Sequence, residues 1–343
     1  MRGALFLICA AALTAGCTEP SESVRIVGSS TVYPFSRTVA ERTAAKFHQR
    51  SPIVEMTGTG GGIQQFCRGA GEIDIANASR PIKDSEIALC QANGVEAIGF
   101  RIGYDGIVVA AAPSNPVKAL TRAHIYRALA KDLPRQGGFE PNPNRLWSDV
   151  DPALPAVEIE VHGPPPTSGT RDAFVELALE PGARAIPELA ALEESDPAQF
   201  KARAGALRED GRWIDEGEND NAIIQLIRSS PTPIGVFGYS YFDQNRGVVA
   251  GVAIDGERAS IDTIADGRYP LARSLYFYVD ARRARPALAN YVLEFMSEAA
   301  LGPAGYLTEK GVVPLPAADL DAERKKALAF HERASALQVE PRP

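Results

Sequence analysis

The amino-acid sequence predicts an α/β fold in which mostly parallel sheets are flanked by helices. A unit of short apolar strand, small polar loop and helix occurs three times between residues 24 and 92. Apolar strand patterns then continue to alternate with helical patterns as far as residue 336. The chain has 343 residues, of which 45% are hydrophobic and 23% charged, so it can form two domains. Such alternation is typical of parallel sheets covered by helices.

The three strand–loop–helix units share one feature, which is a loop of hydroxyl groups and glycine. We predict strands over 24–27, 53–56 and 73–76, and helices over 34–49, 63–68 and 84–92. The loops between them read "GSST", "TGTGGG" and "NASR". Because ligands bind beyond the carboxyl ends of parallel strands, we expect all three loops at one binding edge.

The rest of the chain continues the alternation with one interruption. Further strands are predicted over 95–98, 107–111, 157–161, 234–237, 248–254 and 271–279, and further helices over 121–130, 172–179, 223–227, 286–296 and 322–336. Residues 181–215 are predicted to be mostly charged helix, and 103–106 to be a crossover between two strands. Residues 131–151 are rich in proline and glycine without a period, which predicts a surface excursion.

The N-terminal residues predict export. A positive charge at Arg2 precedes an apolar run over 4–13, which has the length of a signal peptide and is short for a membrane span. The small residues before Cys17 resemble the lipobox of bacterial lipoproteins. That resemblance implies a signal peptide over 1–16, a lipid on Cys17 and a tether over 17–23. A soluble secreted protein cleaved near the same place is the alternative.

The net charge and the cysteines bear on the ligand class and on the cellular compartment. The net charge is −7 and the isoelectric point about 5.3, which disfavours nucleic-acid binding. After the leader, Cys67 and Cys90 form an even pair in an oxidising compartment, which predicts a disulfide. Metal ligation by these cysteines is the weaker alternative, since the four histidines are scattered without ligand spacing.

A fourth hydroxyl loop, "PPPTSGTRDAF" over 164–174, stands before a predicted helix. Unpaired backbone N–H groups at a helix start attract anions, and Ser, Thr and Gly add donors without bulk. Taken singly, each such loop is most simply a helix cap. Four of them on successive connections favour convergence on one small oxyanion. Arg80 would add a planar charged fork, and Arg171 is a second candidate.

The sequence lacks the motifs of enzymes that act on phosphate. There is no nucleotide-binding P-loop and no nucleophile-elbow motif. His162 lies nearest to the hydroxyl loops, and we interpret it as a structural residue at a strand end. Without a base or a metal, the hydroxyls have nothing to activate them. We therefore expect a binding protein without catalytic residues, cofactor or metal.

Six stretches together resemble the phosphate-binding lipoproteins of bacterial ABC importers: "IVGSSTVYPFS", "GTGGGIQQFCRGAGEIDIANASRPIKDSE", "GYDGIVV", "SGTRDAF", "ENDNAIIQLI" and "GVFGYSYF". The resemblance covers residues 24 to 316, apart from the excursion. It implies a two-lobed type II periplasmic-binding fold, with each lobe a mostly parallel sheet flanked by helices and two crossover strands as the hinge. One lobe would comprise 24–104 with 270–338, and the other 105–269.

The same resemblance implies the site residues. Phosphate oxygens would accept hydrogen bonds from Ser30, Thr31, Val32, Thr59, Gly60, Ser79, Ser168, Gly169 and Thr170. The family's best-known branch has an aspartate after the third-loop serine and an arginine four residues before the "SGT" serine, where this chain has Arg80 and Pro164. We therefore assign the positive charge to Arg80 in the opposite lobe. Further candidates are Arg171, Asp172, Asn219, Asp220 and Asn221, the two aspartates as acceptors of the phosphate proton.

The resemblance also implies the setting of the protein. We expect a monomer that captures inorganic phosphate in the periplasm, is anchored to a membrane by lipid and delivers phosphate to an inner-membrane permease. Two alternatives remain open, which are a binder of sulfate or molybdate and an extracytoplasmic enzyme acting on phosphoesters.

Overall fold

The computed structural model describes residues 23–69, 71–135, 138–216 and 220–336. The predicted signal peptide, Cys17, all but the last residue of the predicted tether, and Asn219 lie outside these residues. The strands are β1 Arg25–Gly28, β2 Ile53–Met56, β3 Ile75–Ala78, β4 Ala97–Ala111, β5 Ala119–Leu120, β6 Asp132–Arg135, β7 Gly138–Pro141, β8 Val161–Gly163, β9 Trp213–Asp215, β10 Ile234–Gly238, β11 Ala250–Gly251, β12 Ala253–Ile254 and β13 Ala272–Asp280.

The helices lie between these strands and after the last of them. They are α1 Tyr33–Phe47, α2 Thr59–Phe66, α3 Asp84–Ala92, α4 Arg122–Leu129, α5 Trp147–Val150, α6 Gly169–Phe174, α7 Glu180–Arg184, α8 Pro187–Ser195, α9 Pro197–Ala204, α10 Asp220–Ser229, α11 Tyr239–Gln244, α12 Ile261–Ala265, α13 Pro286–Phe295, α14 Glu298–Leu301 and α15 Ala317–Ala336. A π-helical turn, Val175–Leu179, joins α6 to α7. In the part of the chain that the structure describes, no helix is both long and apolar enough to cross a membrane.

One mixed sheet runs through the molecule in the order β2-β1-β3-β13-β4-β10-β8-β9, with β11 beside β4. The strands β2, β1 and β3 are parallel to one another, and so are β10, β8 and β9. We call these the first and second strand groups. Between them, β13 and β4 pair antiparallel, and each is also antiparallel to its other neighbour. Parallel groups covered by helices are what the sequence predicts.

The strand β4 connects the two groups. It pairs with β13 from Ala97 to Gly106 and with β10 from Ile107 to Ala111. The prediction of two strands separated by a crossover was therefore wrong, because 103–106 also has a partner strand along its length. That partner lies more than 160 residues away in sequence, so local periodicity could not reveal it.

A close contact between α2 and β1 explains part of the glycine run. A Cβ atom on Gly62 would lie 2.4 Å from the Cα of Gly28, so only glycine allows this helix to lie against this strand. The helix begins at Thr59, earlier than the predicted residue 63, because the glycines belong to its first turn. This packing fixes where the loop after β1 and the start of α2 meet.

Two other predictions are corrected by the structure. The excursion over 131–151 contains the hairpin of β6 and β7 and the short helix α5. The region 181–215 contains three short helices and the strand β9, which pairs with β8. The helices α8 and α9 begin with Pro187 and Pro197, and because proline does not continue a preceding helix, the chain divides before each of them. In α7, Pro181 instead follows the π-helical turn without a break.

Cys67 and Cys90 form a disulfide in the structure. Cys67 follows α2 and Cys90 lies in α3, and both residues are buried. The bond belongs to a small hydrophobic cluster with Val27, Ile63 and Phe66. The bond thus links α2 to α3 beside the first strand group.

Candidate functional site

A cavity of about 250 Å³ lies where the loop after β1 faces α6 and the end of β10. Its walls include Thr31, Asp105, Gly169, Thr170, Asp220 and Lys310. The loop after β1 and the start of α6 approach each other closely. A Cβ atom on Gly169 would lie 3.8 Å from the Thr31 Cα and 4.0 Å from the Ser30 carbonyl oxygen. The hydroxyl loop after β1 and the "SGT" segment are therefore neighbours, although about 140 residues separate them.

Ser30 and Asp172 connect these two segments directly. The Ser30 hydroxyl donates to Asp172 Oδ2 at 3.3 Å. Burial raises the pKa of the Asp172 carboxyl above its ordinary value, while the Ser30 hydrogen bond opposes that rise. A carboxyl in this environment takes up a proton more readily than one in water, which is the property required of a proton acceptor.

Ser168 has the geometry of a helix cap. Its side chain accepts a hydrogen bond from the Thr170 N–H at 3.3 Å, and its backbone is extended. Thr170, in contrast, lies on the cavity wall. The segment is therefore both a helix cap and part of a candidate anion site. Ser168 caps α6, and the next two residues of the helix line the cavity.

Thr59, Ser79 and Arg80 form a second cluster at the ends of β2 and β3. The hydroxyl oxygens of Thr59 and Ser79 are 3.1 Å apart, and the Ser79 N–H donates to Thr59 Oγ1 at 3.1 Å. A Cβ on Gly60 would lie 3.8 Å from Arg80 Nη2, so the guanidinium lies against the glycine loop. The second and third hydroxyl loops are therefore adjacent, as the alternation of strands predicts.

The Arg80 guanidinium is held by Glu86. Nη1 and Nη2 donate to the two carboxylate oxygens at 2.9 and 2.7 Å. The Arg80 hydrogen bond lowers the pKa of the Glu86 carboxyl below its ordinary value. Thus both terminal nitrogens of Arg80 already have an acceptor, and a phosphate contact from this residue stays a prediction.

Arg273 on β13 is a cation that contacts the cavity wall and was not among the predicted residues. Nη2 donates to Thr31 Oγ1 at 2.6 Å and Nε to Asp105 Oδ2 at 3.3 Å, while Nη1 donates to Glu176. The arginine side chain is only 9% exposed. A signal was present, because Arg273 interrupts the apolar stretch "LARSLYFYV" and a charged residue inside a buried strand requires a partner.

Of the remaining predicted site residues that the structure describes, one lines the cavity and the others lie elsewhere. Arg171 turns toward β9, where it donates to Asp215 at 2.7 Å and stacks 4.7 Å from the centre of the Trp213 ring. Asp220 lines the cavity and accepts from the Gly238 N–H at 3.2 Å. Val32 is fully buried behind the first loop, and the side of α10 that bears Asn221 is exposed.

His162 is buried at the end of β8, between two carboxylates. Glu216 lies 2.8 Å from Nδ1 and Glu160 3.1 Å from Nε2. Both ring nitrogens are therefore occupied by structural partners. Over the described ranges, no group of three histidine, cysteine or acidic side chains is placed to hold a metal ion.

Comparison with known proteins agrees with this architecture. Protein SphX of Synechococcus elongatus is 32% identical over 297 residues, which is 84% of this chain and 77% of that protein. Phosphate-binding protein PstS of Staphylococcus epidermidis is 30% identical over 295 residues, which is 82% and 77% of the two chains.

Solved structures confirm the predicted fold class. The crystal structure of a possible phosphate binding protein from Planctomyces limnophilus superposes with a TM-score of 0.73 at 28% identity, covering 90% of this chain and 99% of that one. PstS from Borrelia burgdorferi, with a TM-score of 0.58 at 17% identity over 86% of this chain and 100% of that one, shares the fold. A family model described as the PBP superfamily domain matches residues 14–300. The chain therefore belongs to the PBP superfamily.

Proposed function

We propose that this protein is the substrate-binding component of an ABC importer, which captures inorganic phosphate outside the inner membrane and delivers it to the permease. The relatives support this proposal, since PstS is named a phosphate-binding protein. The observation that carries it is the meeting of Thr31, Gly169 and Thr170 around one cavity, with Arg273 held against Thr31. Hydroxyl, amide and guanidinium donors in such a place suit a small oxyanion.

The proposed division into lobes follows the two strand groups. Residues 24–104 with 270–338 would form one lobe and 105–269 the other. The pairing of β4, first with β13 and then with β10, supports these two strands as the hinge. Closure would bring the "SGT" segment onto the first hydroxyl loop. Their close approach at Gly169 is consistent with that motion.

The proposed ligand contacts are mostly neutral donors. Ser30, Thr31, Val32, Thr59, Gly60, Ser79, Ser168, Gly169 and Thr170 would donate from hydroxyl or backbone groups, with Arg80 and Arg273 as cations. Asp172 and Asp220 are the proposed acceptors of the phosphate proton, since the first accepts from Ser30 in the loop after β1 and the second lines the cavity. Sulfate carries no proton at neutral pH, so such an acceptor would favour phosphate.

We further propose a monomer that is secreted and held at a membrane by a lipid on Cys17. The lipobox-like residues before Cys17 support the anchor. A disulfide within the described residues agrees with an oxidising compartment. The names of the relatives are those of binding proteins, which supports a role in capture rather than catalysis.

Titration calorimetry of the purified protein with phosphate, sulfate and molybdate tests the proposal. We expect saturable heat with phosphate at micromolar concentration, and weaker or no binding of sulfate. Asp172→Asn should narrow the preference for phosphate over sulfate. Preferential binding of sulfate or molybdate would assign the protein to another oxyanion. Turnover of an aryl phosphate by protein that binds none of the three anions would indicate an enzyme instead.

A further inference from the structure

Arg273 retains unused hydrogen-bonding capacity beside the cavity. A guanidinium group has five N–H groups. Three donate to Asp105, Thr31 and Glu176. The other two have no hydrogen-bond partner among the residues that the structure describes, although nine-tenths of the side chain is buried. A buried charge with free donors next to a polar cavity is suited to an anionic ligand.

The two carboxylates around Arg273 are held very differently. Asp105 lies directly opposite Arg273 in the β4–β13 pair, and its side chain is 17% exposed. Glu176 approaches from the π-helical turn after α6, and its side chain is 55% exposed. A buried partner on a neighbouring strand is a fixed anchor. An exposed partner on a long flexible side chain contributes little and exchanges easily with solvent or another anion.

The position of Glu176 has a local cause in the sequence. It lies in the π-helical turn Val175–Leu179, just before Pro181. Proline has no N–H to donate and its ring crowds the carbonyl of Leu177, so the helix widens at this point. Glu176 belongs to this wide turn and accepts a hydrogen bond from Arg273 on β13.

Thr31 gains a defined orientation from Arg273. Its oxygen accepts from Nη2, so its own hydrogen must point to another acceptor. A hydroxyl that accepts from a cation becomes a stronger donor. Thr31 also lines the cavity. The free N–H groups of Arg273 and the Thr31 hydroxyl thus form one set of donors.

We propose that Arg273 is the principal cation of the oxyanion site and that Glu176 is a counter-anion which bound phosphate displaces from it. Arg80 is less suited to this role because neither it nor its partners Glu86 and Pro81 line the cavity. Thr31 and Asp105, which are partners of Arg273, both do. The inference rests on the proposed function, since it names the charged group of that site. It implies that Glu176 reduces affinity, both by competing for Arg273 and by repelling a dianion.

Calorimetry with inorganic phosphate on four variants of the full mature chain tests the inference. Arg273→Lys keeps the positive charge but loses the planar guanidinium with its paired N–H donors. We therefore expect the affinity for phosphate to fall about tenfold to a hundredfold. Glu176→Gln should bind phosphate about two- to fivefold more tightly. Arg268→Lys and Glu193→Gln are the controls, because each changes an exposed ion pair away from the cavity. Neither control should change affinity.

The outcomes separate this inference from the proposed function. If the wild type binds no phosphate, the proposed function fails and the inference fails with it. If the wild type binds and Arg273→Lys binds equally well, only the inference is overturned. Weaker binding by Glu176→Gln would also overturn it, by showing that this residue assists the ligand. A gain in affinity cannot arise from misfolding, so Glu176→Gln remains informative even where Arg273→Lys is unstable.

Discussion

The Arg273 guanidinium donates a 2.6 Å hydrogen bond to the Thr31 hydroxyl, which joins a central strand to the loop after the first strand. Thr31→Val keeps the shape and removes the hydroxyl. We expect it to weaken phosphate binding about tenfold, because the arginine loses an acceptor and the ligand a donor. Thr31→Ser should bind nearly as the wild type does. Equal affinity of the valine and serine variants in calorimetry would exclude a role for the hydroxyl.

The close approach at Gly169 limits which residues can stand there. An alanine Cβ would make ordinary contacts with Thr31 and Ser30, at 3.8 and 4.0 Å, so Gly169→Ala should bind phosphate normally. Gly169→Leu should bind about tenfold more weakly, because its side chain holds the two loops apart. Small-angle scattering with phosphate should then show a less compact particle than the wild type. Normal compaction of the leucine variant would contradict this prediction.

We expect the Arg80–Glu86 ion pair to make a pH-dependent contribution to the free energy of unfolding. The pKa of Glu86 is lowered from its ordinary 4.5 in the folded protein, so the unfolded chain binds more protons between the two values. The stabilisation is therefore complete above pH 4.5 and disappears as pH falls through the lowered pKa. Glu86→Gln should lower the free energy of unfolding by about 1 kcal/mol at neutral pH.

Denaturant unfolding at neutral and strongly acidic pH tests whether Glu86 stabilises the fold through its charge. The difference in the free energy of unfolding between wild type and Glu86→Gln should disappear once the wild-type Glu86 carboxyl is protonated. Glu209→Gln, which changes an exposed pair with Lys131, is the control and should have little effect at either pH. A difference that persists unchanged in acid would show that the pair acts through packing rather than charge.

The Cys67–Cys90 bond should contribute substantially to stability. It closes a loop with a sequence separation of 23, and restricting the unfolded chain in this way is worth about 3 kcal/mol. Replacing both cysteines by alanine should lower the urea midpoint, and reduction should bring the wild type close to the double variant. If the oxidised wild type and the variant unfold at the same midpoint, the bond does not stabilise the fold.

The proposed lipid anchor gives a prediction outside the described residues. Cys17→Ser removes the acceptor thiol, and without acyl chains the protein loses its hydrophobic attachment. We expect the variant to move from the membrane to the soluble extracytoplasmic fraction in detergent partitioning. Cys67→Ala/Cys90→Ala is the matched control and should stay with the membrane. A Cys17→Ser protein that remains in the detergent phase would rule out lipidation at this residue.

Local features of the chain were predicted well because their causes are local. The strand β2 and the helix α3 have the predicted bounds, since β-branched runs, capping residues and prolines act within a few positions. The hydroxyl loops after β1 and β3 follow their strands as expected. The sequence also determined the family, through stretches that are distinctive in combination. It did not reveal that 97–111 is one strand, because only a distant partner completes it.

The tertiary structure decided which arginine has its partners on the cavity wall. Arg80 stands beside a hydroxyl loop in the sequence, which made it the natural candidate, but neither it nor its partner Glu86 lines the cavity. Arg273 gave only a weak signal, yet the register of β13 against β4 places it opposite Asp105 and beside Thr31. Strand register depends on pairing across more than 160 residues. A side chain's partners follow from that pairing and not from its neighbours in the chain.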